Sequence, residues 1–280
     1  MLIGLICILA ALGAVGICLQ SGAFCSFHWL WALPLSFVGG ILALAVLLFA
    51  VVYIACSFVD PDKERNKDSK FFRLLIKLLV PAILTVGRAR VHTKGLEQIP
   101  KTGRFLLVCN HLHEADPVIL LRYFKDSQLA FVGKRETKNM FLVGKLMAMI
   151  LCQFINREND KEALKTILRC IQLLKEDKVS IGIFPEGYIN KDRKFHHLRP
   201  GVFKIAQKAK VPIVVCTITN TNHIIKNFLN GKPTDIDLHL LEVIPVEFME
   251  GKTTVEISEY VHDIMAEDLG EAYRPTEENT

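Results

Sequence analysis

The amino-terminal part of the chain carries no charged side chain. Between Met1 and Val59 there is no Asp, Glu, Lys or Arg, although the whole chain has 34 basic and 29 acidic residues and a net charge of +5. Two apolar runs, residues 2–19 and 29–58, fill this part. A helix of about 20 apolar residues crosses a bilayer core. The pattern therefore predicts a hydrophobic membrane anchor over residues 1–59, with one or two spans.

A segment of mixed charge follows the anchor. Residues 60–70 read Asp-Pro-Asp-Lys-Glu-Arg-Asn-Lys-Asp-Ser-Lys, and Lys and Arg beside a span favour the cytoplasmic side. Residues 71–80 combine a broad apolar face with two cations, which fits either an interfacial helix or an ordinary core helix. We assign residues 60–87 to a basic juxtamembrane linker with an amphipathic helix, and we expect the rest of the chain to face the cytoplasm. A secretory signal is the weaker alternative, because the leading end lacks Lys and Arg.

The rest of the chain alternates between strand-like and helix-like segments. This alternation predicts an α/β fold with a mixed, largely parallel sheet flanked by helices. The domain spans residues 88–270, and the polar residues 271–280 are expected to form a disordered tail. The eight cysteines are scattered, without a Cys-x-x-Cys pair, which suits a reducing compartment. Strands are predicted over 90–93, 105–109, 129–132, 152–156, 179–184, 213–219 and 237–244, and helices over 117–124, 138–150, 160–175, 202–208 and 254–265.

A histidine and an aspartate lie in the loop after the second predicted strand. The sequence from residue 110 reads Asn-His-Leu-His-Glu-Ala-Asp-Pro, so His111 and Asp116 fall between a strand end and a helix start. Loops of this kind often hold the chemistry of α/β proteins. His111 can accept a proton near neutral pH, and the Asp116 carboxylate can fix its tautomer. The ordinary alternatives are a loop histidine with local hydrogen bonds and a helix-capping aspartate.

Three later loops place cations and a carboxylate at other predicted strand ends. Arg157 follows one apolar strand, Glu186 and Gly187 follow another, and Arg199 opens a helix. If these strand ends converge, then Lys134, Arg157 and Arg199 can gather around a phosphate group. For each cation taken alone, a solvated surface charge is the ordinary alternative.

Taken together, these motifs resemble those of the glycerolipid acyltransferases. His-x4-Asp, Phe-Ile-x-Arg, Phe-Pro-Glu-Gly and Val-Pro-Ile occur in this order within residues 94–215. The resemblance is strongest to the branch that acylates lysophosphatidic acid at its sn-2 hydroxyl to give phosphatidic acid. It implies an acyl thioester of acyl carrier protein or coenzyme A as co-substrate and no cofactor or metal. It also implies membrane lipids as partners, and we expect no nucleic-acid partner.

The resemblance also implies roles for individual residues. His111 becomes the general base and Asp116 its orienting partner. The family usually continues Pro-Glu-Gly with Thr-Arg-Ser, whereas residues 188–190 here read Tyr-Ile-Asn. Lys191, Arg193 and Arg199 are the candidates to replace the missing arginine. The substrate-binding motifs fall on Phe154, Ile155, Arg157, Glu186 and Gly187, and Pro212 lies in the apolar motif associated with the acyl donor.

Other functions remain open at this point. The acceptor can be glycerol-3-phosphate or another lysolipid, because the second phosphate motif is altered. A non-catalytic lipid-binding protein is less favoured, since binding alone needs no base. A metal-dependent hydrolase using His111, His113, Glu114 and Asp116 is the least favoured, because the spacing of the carboxylates does not fit such a site and no downstream ligand set is evident.

Overall fold

A computed structural model describes residues 2–189 and 192–274, and the chain divides into two compact units after Asp60. The first unit contains helices α1 (Leu2–Gln20) and α2 (Trp29–Ser57). They approach closely, since a Cβ added at Gly40 would lie 3.2 Å from the Cβ of Ala10. Small residues allow such close approach of membrane helices. Both helices have the length and composition of membrane spans, so they fit the predicted anchor.

The second unit is built on a mixed sheet. Within the described ranges the sheet has seven strands in the order β1-β7-β6-β2-β5-β3-β4. The five strands from β6 to β4 are mutually parallel, β7 runs antiparallel to β6, and β1 runs parallel to β7. The strands are β1 (Ala89–Lys94), β2 (Leu106–Cys109), β3 (Leu129–Lys134), β4 (Gln153–Ile155), β5 (Ser180–Ile183), β6 (Ile213–Ile218) and β7 (Thr234–Ile244).

Helices flank the sheet as predicted. Every strand and helix expected from the sequence is present, with ends that differ by a few residues, while the short helix α8 was not predicted. The helices are α3 (Lys70–Val86), α4 (Asp116–Tyr123), α5 (Phe141–Met149), α6 (Asp160–Lys175), α7 (Lys204–Ala209), α8 (Ile224–Leu229) and α9 (Thr254–Leu269), with short 3₁₀ turns at Leu96–Gln98, Arg135–Asn139, Pro200–Phe203, Thr221–His223, Glu247–Met249 and Glu271–Tyr273.

The core lies on both faces of the central strands. Every residue of β2, β5 and β6 is buried, because parallel strands are covered by helices on both sides. In β7, buried and less buried residues alternate over the first half of the strand, as in a strand with one covered face. The buried centre of the domain is therefore the group of strands from β6 to β5.

The carboxyl-terminal segment is ordered further than predicted. The Phe195 N–H donates to the Tyr273 carbonyl at 2.8 Å, and the Asn220 N–H donates to the Tyr273 hydroxyl at 3.2 Å. These bonds hold the 3₁₀ turn at 271–273, so the predicted disordered tail begins too early. Residues 275–280, the rest of that prediction, lie outside the described residues.

Candidate active site

The predicted site residues meet at one edge of the sheet, with one exception. The strands from β6 to β4 are parallel, so their carboxyl ends share an edge. His111 follows β2, Glu186 follows β5, Arg157 follows β4, and Lys134 ends β3. This is the edge at which open α/β sheets usually bind ligands.

The Asp116 carboxylate holds the His111 ring. The two side chains meet at 2.8 Å between Nδ1 and Oδ2. The same oxygen accepts the backbone N–H groups of Leu112 at 2.7 Å and His113 at 2.9 Å. Asp116 is fully buried, whereas the His111 side chain is 18% exposed. With Nδ1–H bonded to the carboxylate, Nε2 keeps a lone pair that can accept a proton.

The ordinary explanation of Asp116 as a helix cap does not describe this geometry. Helix α4 begins at Asp116, and the preceding Ala115 takes the capping position without a side-chain hydrogen bond. The carboxylate instead points back into the loop. The helix start stabilises its negative charge, and among the described residues its Oδ1 atom makes no hydrogen bond. The loop is therefore folded around the carboxylate, with the histidine as one of its three donors.

Aromatic stacking fixes the plane of the imidazole. The His111 and Phe184 rings stack with centroids 4.0 Å apart and planes at 14°. Phe184 in turn stacks with Phe131 at 5.7 Å and 8°. The ring is thus restrained in its plane by stacking and in its rotation by Asp116.

The carboxylate of Glu186 is bonded to the backbone. Its Oε1 accepts the N–H of His111 at 3.0 Å, and its Oε2 accepts the N–H of His196 at 3.3 Å. The residue is buried. Both oxygens join the histidine loop to the segment after β5, so Glu186 has a structural role here, and the prediction that it also binds substrate stays a prediction.

Asn110 is a structural residue that the sequence interpretation missed. Its amide nitrogen donates to the Ile218 carbonyl at 2.8 Å, and its amide oxygen accepts the Ile218 N–H at 2.8 Å. This pair joins the ends of β2 and β6 next to the histidine. An amide directly before the histidine was the available signal, but its partner is distant in sequence.

The three predicted cations lie at the same edge and are exposed. Lys134 pairs with Glu136 at 3.3 Å between Nζ and Oε1. The pKa of the Arg157 guanidinium is lowered, first by partial loss of solvent and then by the charge of Arg199, while Glu136 opposes the shift. Arg157 and Arg199 are therefore close enough to repel each other, and an anion between them would relieve this repulsion.

Gly187 allows Arg199 to lie against the Pro-Glu-Gly loop. Its φ is +89°, and a Cβ added there would lie 2.5 Å from the Arg199 Nε. The Arg199 Nε donates to the Glu186 carbonyl at 3.4 Å, and the Arg199 N–H donates to the Pro185 carbonyl at 2.9 Å. A side chain at Gly187 would be strained and would displace the guanidinium.

The three candidates for the missing arginine are placed differently. Arg199 lies on the Pro-Glu-Gly backbone beside Arg157, and the Arg193 guanidinium donates to the carbonyl of Leu112 in the histidine loop. Asn190 and Lys191 lie outside the described residues. Of the two cations that can be placed, Arg199 is the one whose charge acts on another predicted phosphate ligand, since it lowers the pKa of Arg157.

Pro212 is not brought to this edge. It precedes β6, and its carbonyl accepts the N–H of Leu106 at the start of β2 at 3.0 Å. A strand of six residues spans about 20 Å, so Pro212 lies at the opposite end of the sheet from His111. Pro212 is therefore not part of the arrangement around His111, and an acyl-donor contact there stays a prediction. Phe154 and Ile155, by contrast, lie at the end of β4, within three residues of Arg157, and both are half-buried.

The nearby thiols are not nucleophiles. Cys109 ends β2 and is paired in register with Cys216 of β6. Burial raises the pKa of the Cys109 thiol well above its usual value, and Cys216 and Asp116 add to the shift. A thiol that stays protonated near neutral pH is a poor nucleophile, so the geometry favours His111 over Cys109 as the reactive group.

Similarity to known proteins agrees with this geometry. The model of the acyltransferase family matches residues 90–219. A probable 1-acyl-sn-glycerol-3-phosphate acyltransferase of Mycoplasma genitalium is 32% identical over 200 residues, covering 70% of this chain and 71% of the relative. The chain belongs to the acyltransferase family. This confirms the resemblance inferred from the motifs and the predicted enzyme class.

Two further matches support the family and the fold. The 1-acyl-sn-glycerol-3-phosphate acyltransferase of Haemophilus influenzae is 28% identical over 171 residues, covering 60% of this chain and 70% of the relative. The crystal structure of the 1-acyl-sn-glycerophosphate acyltransferase from Thermotoga maritima superposes with a TM-score of 0.60 at 20% identity, over 82% of this chain and 90% of that one. The predicted fold class is confirmed.

Proposed function

We propose that this acyltransferase moves an acyl chain from an acyl thioester to the sn-2 hydroxyl of lysophosphatidic acid, forming phosphatidic acid at the cytoplasmic face of a membrane. The observation that carries the proposal is the His111–Asp116 pair, bonded at 2.8 Å at the edge that also holds the exposed cations. The names of the relatives support the acceptor, and the apolar helices α1 and α2 support the membrane setting.

The histidine performs the proton transfer. Nε2 of His111 takes the proton of the acceptor hydroxyl as its oxygen attacks the thioester carbonyl. The Asp116 Oδ2 keeps its bond to Nδ1–H and stabilises the imidazolium that forms. When the tetrahedral intermediate collapses, the C–S bond breaks, the ester C–O bond remains, and the imidazolium proton goes to the leaving thiolate. No covalent enzyme intermediate is needed.

The cationic edge binds the acceptor phosphate. Arg157 and Arg199 carry like charges close together, and a phosphate between them would bind through charge-assisted hydrogen bonds. Lys134 lies at the end of the neighbouring strand and contributes a third positive charge. The phosphate then fixes the glycerol backbone so that its free hydroxyl approaches Nε2. The donor is the thioester of acyl carrier protein or coenzyme A, and the negative charge of both carriers suits this edge.

The test is phosphatidic acid formation by the full-length protein in vesicles, with lysophosphatidic acid and either donor. His111→Ala should lower kcat by about 10²- to 10⁴-fold, the usual contribution of a general base. His113→Ala is the matched control, because the ring lies in the same loop but its Nδ1 accepts the Ala115 N–H at 3.1 Å.

Each other outcome has a defined meaning. Equal loss in both variants would contradict the assignment of the base. Transfer by the wild type to glycerol-3-phosphate or another lysolipid, without transfer to lysophosphatidic acid, would keep the chemistry and reject the acceptor. An absence of transfer to any of these acceptors with either donor would reject the enzyme function.

A further inference from the structure

Short helix α8 exposes three large apolar side chains. Ile225, Phe228 and Leu229 are 57%, 47% and 77% exposed, respectively. Single exposed apolar residues are common on protein surfaces, but contiguous groups usually mark an interaction surface. None of these residues belongs to the family motifs or to the site described above.

Helix α8 lies at the same edge of the sheet as the histidine. It follows β6, whose last residue Ile218 is bonded to Asn110. Strand β7 then returns antiparallel, with Leu238 opposite Ile218. The chain between Ile218 and Leu238, including α8, therefore extends beyond the carboxyl ends of β2 and β6.

The last turn of α3 adjoins this region. The Arg88 guanidinium donates to the carbonyl of Gly231, and the Thr234 N–H donates to the Arg88 carbonyl at 3.1 Å. Two exposed apolar side chains, Ile83 and Val86, lie in the last turn of α3 just before this junction. The ends of α3 and α8 thus bring exposed apolar residues to neighbouring places.

The same surface carries positive charge without internal neutralisation. Arg88, Lys226 and Lys232 are exposed, and none of the three forms an ion pair within residues 2–189 and 192–274. The nearest carboxylate along the chain, Asp235, is engaged by His92 at 3.2 Å. An apolar cluster with surrounding unpaired cations is complementary to a bilayer with anionic headgroups.

We propose that these residues form a second membrane contact, separate from helices α1 and α2, that seats the catalytic edge on an anionic bilayer surface. We call it the α8 patch, comprising Ile83, Val86, Arg88, Ile225, Lys226, Phe228, Leu229 and Lys232. Its apolar side chains enter the headgroup region and its cations bind lipid phosphates. Because the same chain carries two helices with the properties of membrane spans, a bilayer is within reach of every copy.

This contact goes beyond the proposed reaction. Binding of the patch to a bilayer requires no acyl transfer, although it would shorten the path of a lipid acceptor to His111. The two proposals can therefore be tested separately, one by docking and one by turnover.

The first experiment measures docking directly. The full-length protein with Leu229→Cys, in a Cys7→Ser and Cys25→Ser background, is labelled with an environment-sensitive fluorophore and placed in phosphatidylglycerol vesicles. The α8 patch predicts a blue-shifted emission that lipids with a doxyl quencher reduce. A label at Thr102→Cys, an exposed position before β2 at the opposite edge, should keep the emission of a water-exposed fluorophore.

The expected result also depends on lipid charge. Vesicles of phosphatidylcholine alone should give a smaller blue shift and less quenching at position 229. Identical emission and quenching for the labels at 229 and 102 in anionic vesicles would overturn the proposal. This measurement stands whatever the acceptor of the enzyme turns out to be.

The second experiment measures the consequence for turnover. Phe228→Ser combined with Leu229→Ser should raise the apparent KM for lysophosphatidic acid in anionic vesicles by about tenfold. Turnover of a short-chain, water-soluble lysophosphatidic acid should stay unchanged. The matched control is Leu164→Ser combined with Leu168→Ser, since these leucines on α6 are also exposed, at 57% and 55%. An equal rise of KM in the control, or equal loss on the soluble substrate, would contradict a docking role.

Discussion

The histidine loop and the cationic edge belong to one site but are built in different ways. In the loop, the Asp116 Oδ2 accepts three hydrogen bonds and the Glu186 carboxylate accepts two more. At the edge, Lys134, Arg157 and Arg199 are exposed, and the Lys134–Glu136 pair lies at the surface. One half of the site is held by a buried network, and the other half consists of long side chains in solvent.

This difference suits the roles that we propose for the two halves. Proton transfer requires the base within hydrogen-bond distance of the hydroxyl, and a displacement of about 1 Å can cost about 10²-fold in rate. A phosphate accepts hydrogen bonds from many directions, so flexible cations can adapt to it. The loop should therefore control kcat, and the cationic edge should control KM.

After removal of the base itself, the largest expected effect is that of Asp116→Asn. A neutral amide cannot stabilise the imidazolium and fits three donors poorly, so kcat should fall by about 10³-fold. The KM for lysophosphatidic acid should change little. Steady-state kinetics with both donors, together with a thermal unfolding curve, measure this. A fall in kcat of less than tenfold in a folded variant would contradict this division of roles, because the histidine loop would then not control the rate of the chemical step.

The next effect concerns Arg157→Ala and Arg199→Ala. Each variant loses a charge-assisted contact to phosphate, so KM should rise by about 10- to 100-fold with kcat nearly unchanged. Lys101→Ala, an exposed cation before β2, is the control and should leave KM unaffected. If an uncharged monoacylglycerol acceptor showed the same rise in KM, the effect of the two arginines would not come from binding the phosphate.

A smaller effect is expected for Glu186→Gln, which decides whether this residue belongs to the loop or to the substrate. The change replaces a carboxylate oxygen, which accepts a backbone N–H, by an amide NH₂ group. This should lower the free energy of unfolding by about 2 kcal/mol. It should also lower kcat by about tenfold through displacement of His111. Denaturant unfolding and kinetics are measured on the same samples. A raised KM with an unchanged free energy of unfolding would mean that Glu186 contributes to substrate binding and not to the stability of the loop.

The smallest effect is expected for Cys109→Ala, which removes the thiol two positions before His111. Burial raises the pKa of this thiol well above its usual value and that of Cys152 to about 11, so both stay protonated and unreactive at neutral pH. We expect kcat within about threefold of the wild type and little inactivation by iodoacetamide. Loss of turnover in a folded Cys109→Ala variant would mean that the loop contains a nucleophile.

The sequence predicted those parts of the fold in which local pattern and burial coincide. Strands β2, β5 and β6 are short, fully buried apolar runs. Such runs are the sequence pattern typical of central parallel strands. Helix α8 was missed because it has no side-chain cap and lies between the polar residues 219–223 and the Asn-Gly pair at 230–231, which together resemble a loop. The start of β7 was missed because Thr234 and Asp235 look polar, although Thr234, Ile236 and Leu238 alternate toward the core.

The candidate site was predictable where its parts are close in sequence. His111 and Asp116 are five positions apart, so one loop can bring them together. The contact of Glu186 with His111 spans 75 positions and depends on the pairing of β2 with β5, which no local pattern gives. Pro212 lies apart from the histidine because it precedes a strand, whereas His111, Arg157 and Glu186 follow theirs.

The two hydrogen bonds between Asn110 and Ile218 have a consequence for the order in which the domain folds. The two residues are 108 positions apart, and closing so long a loop is a late event in folding. A chain still being synthesised cannot fix the end of β2 until β6 has emerged and docked. We therefore expect a chain that ends before β6 to leave the end of β2, and with it His111, without this support and to show no acyl transfer.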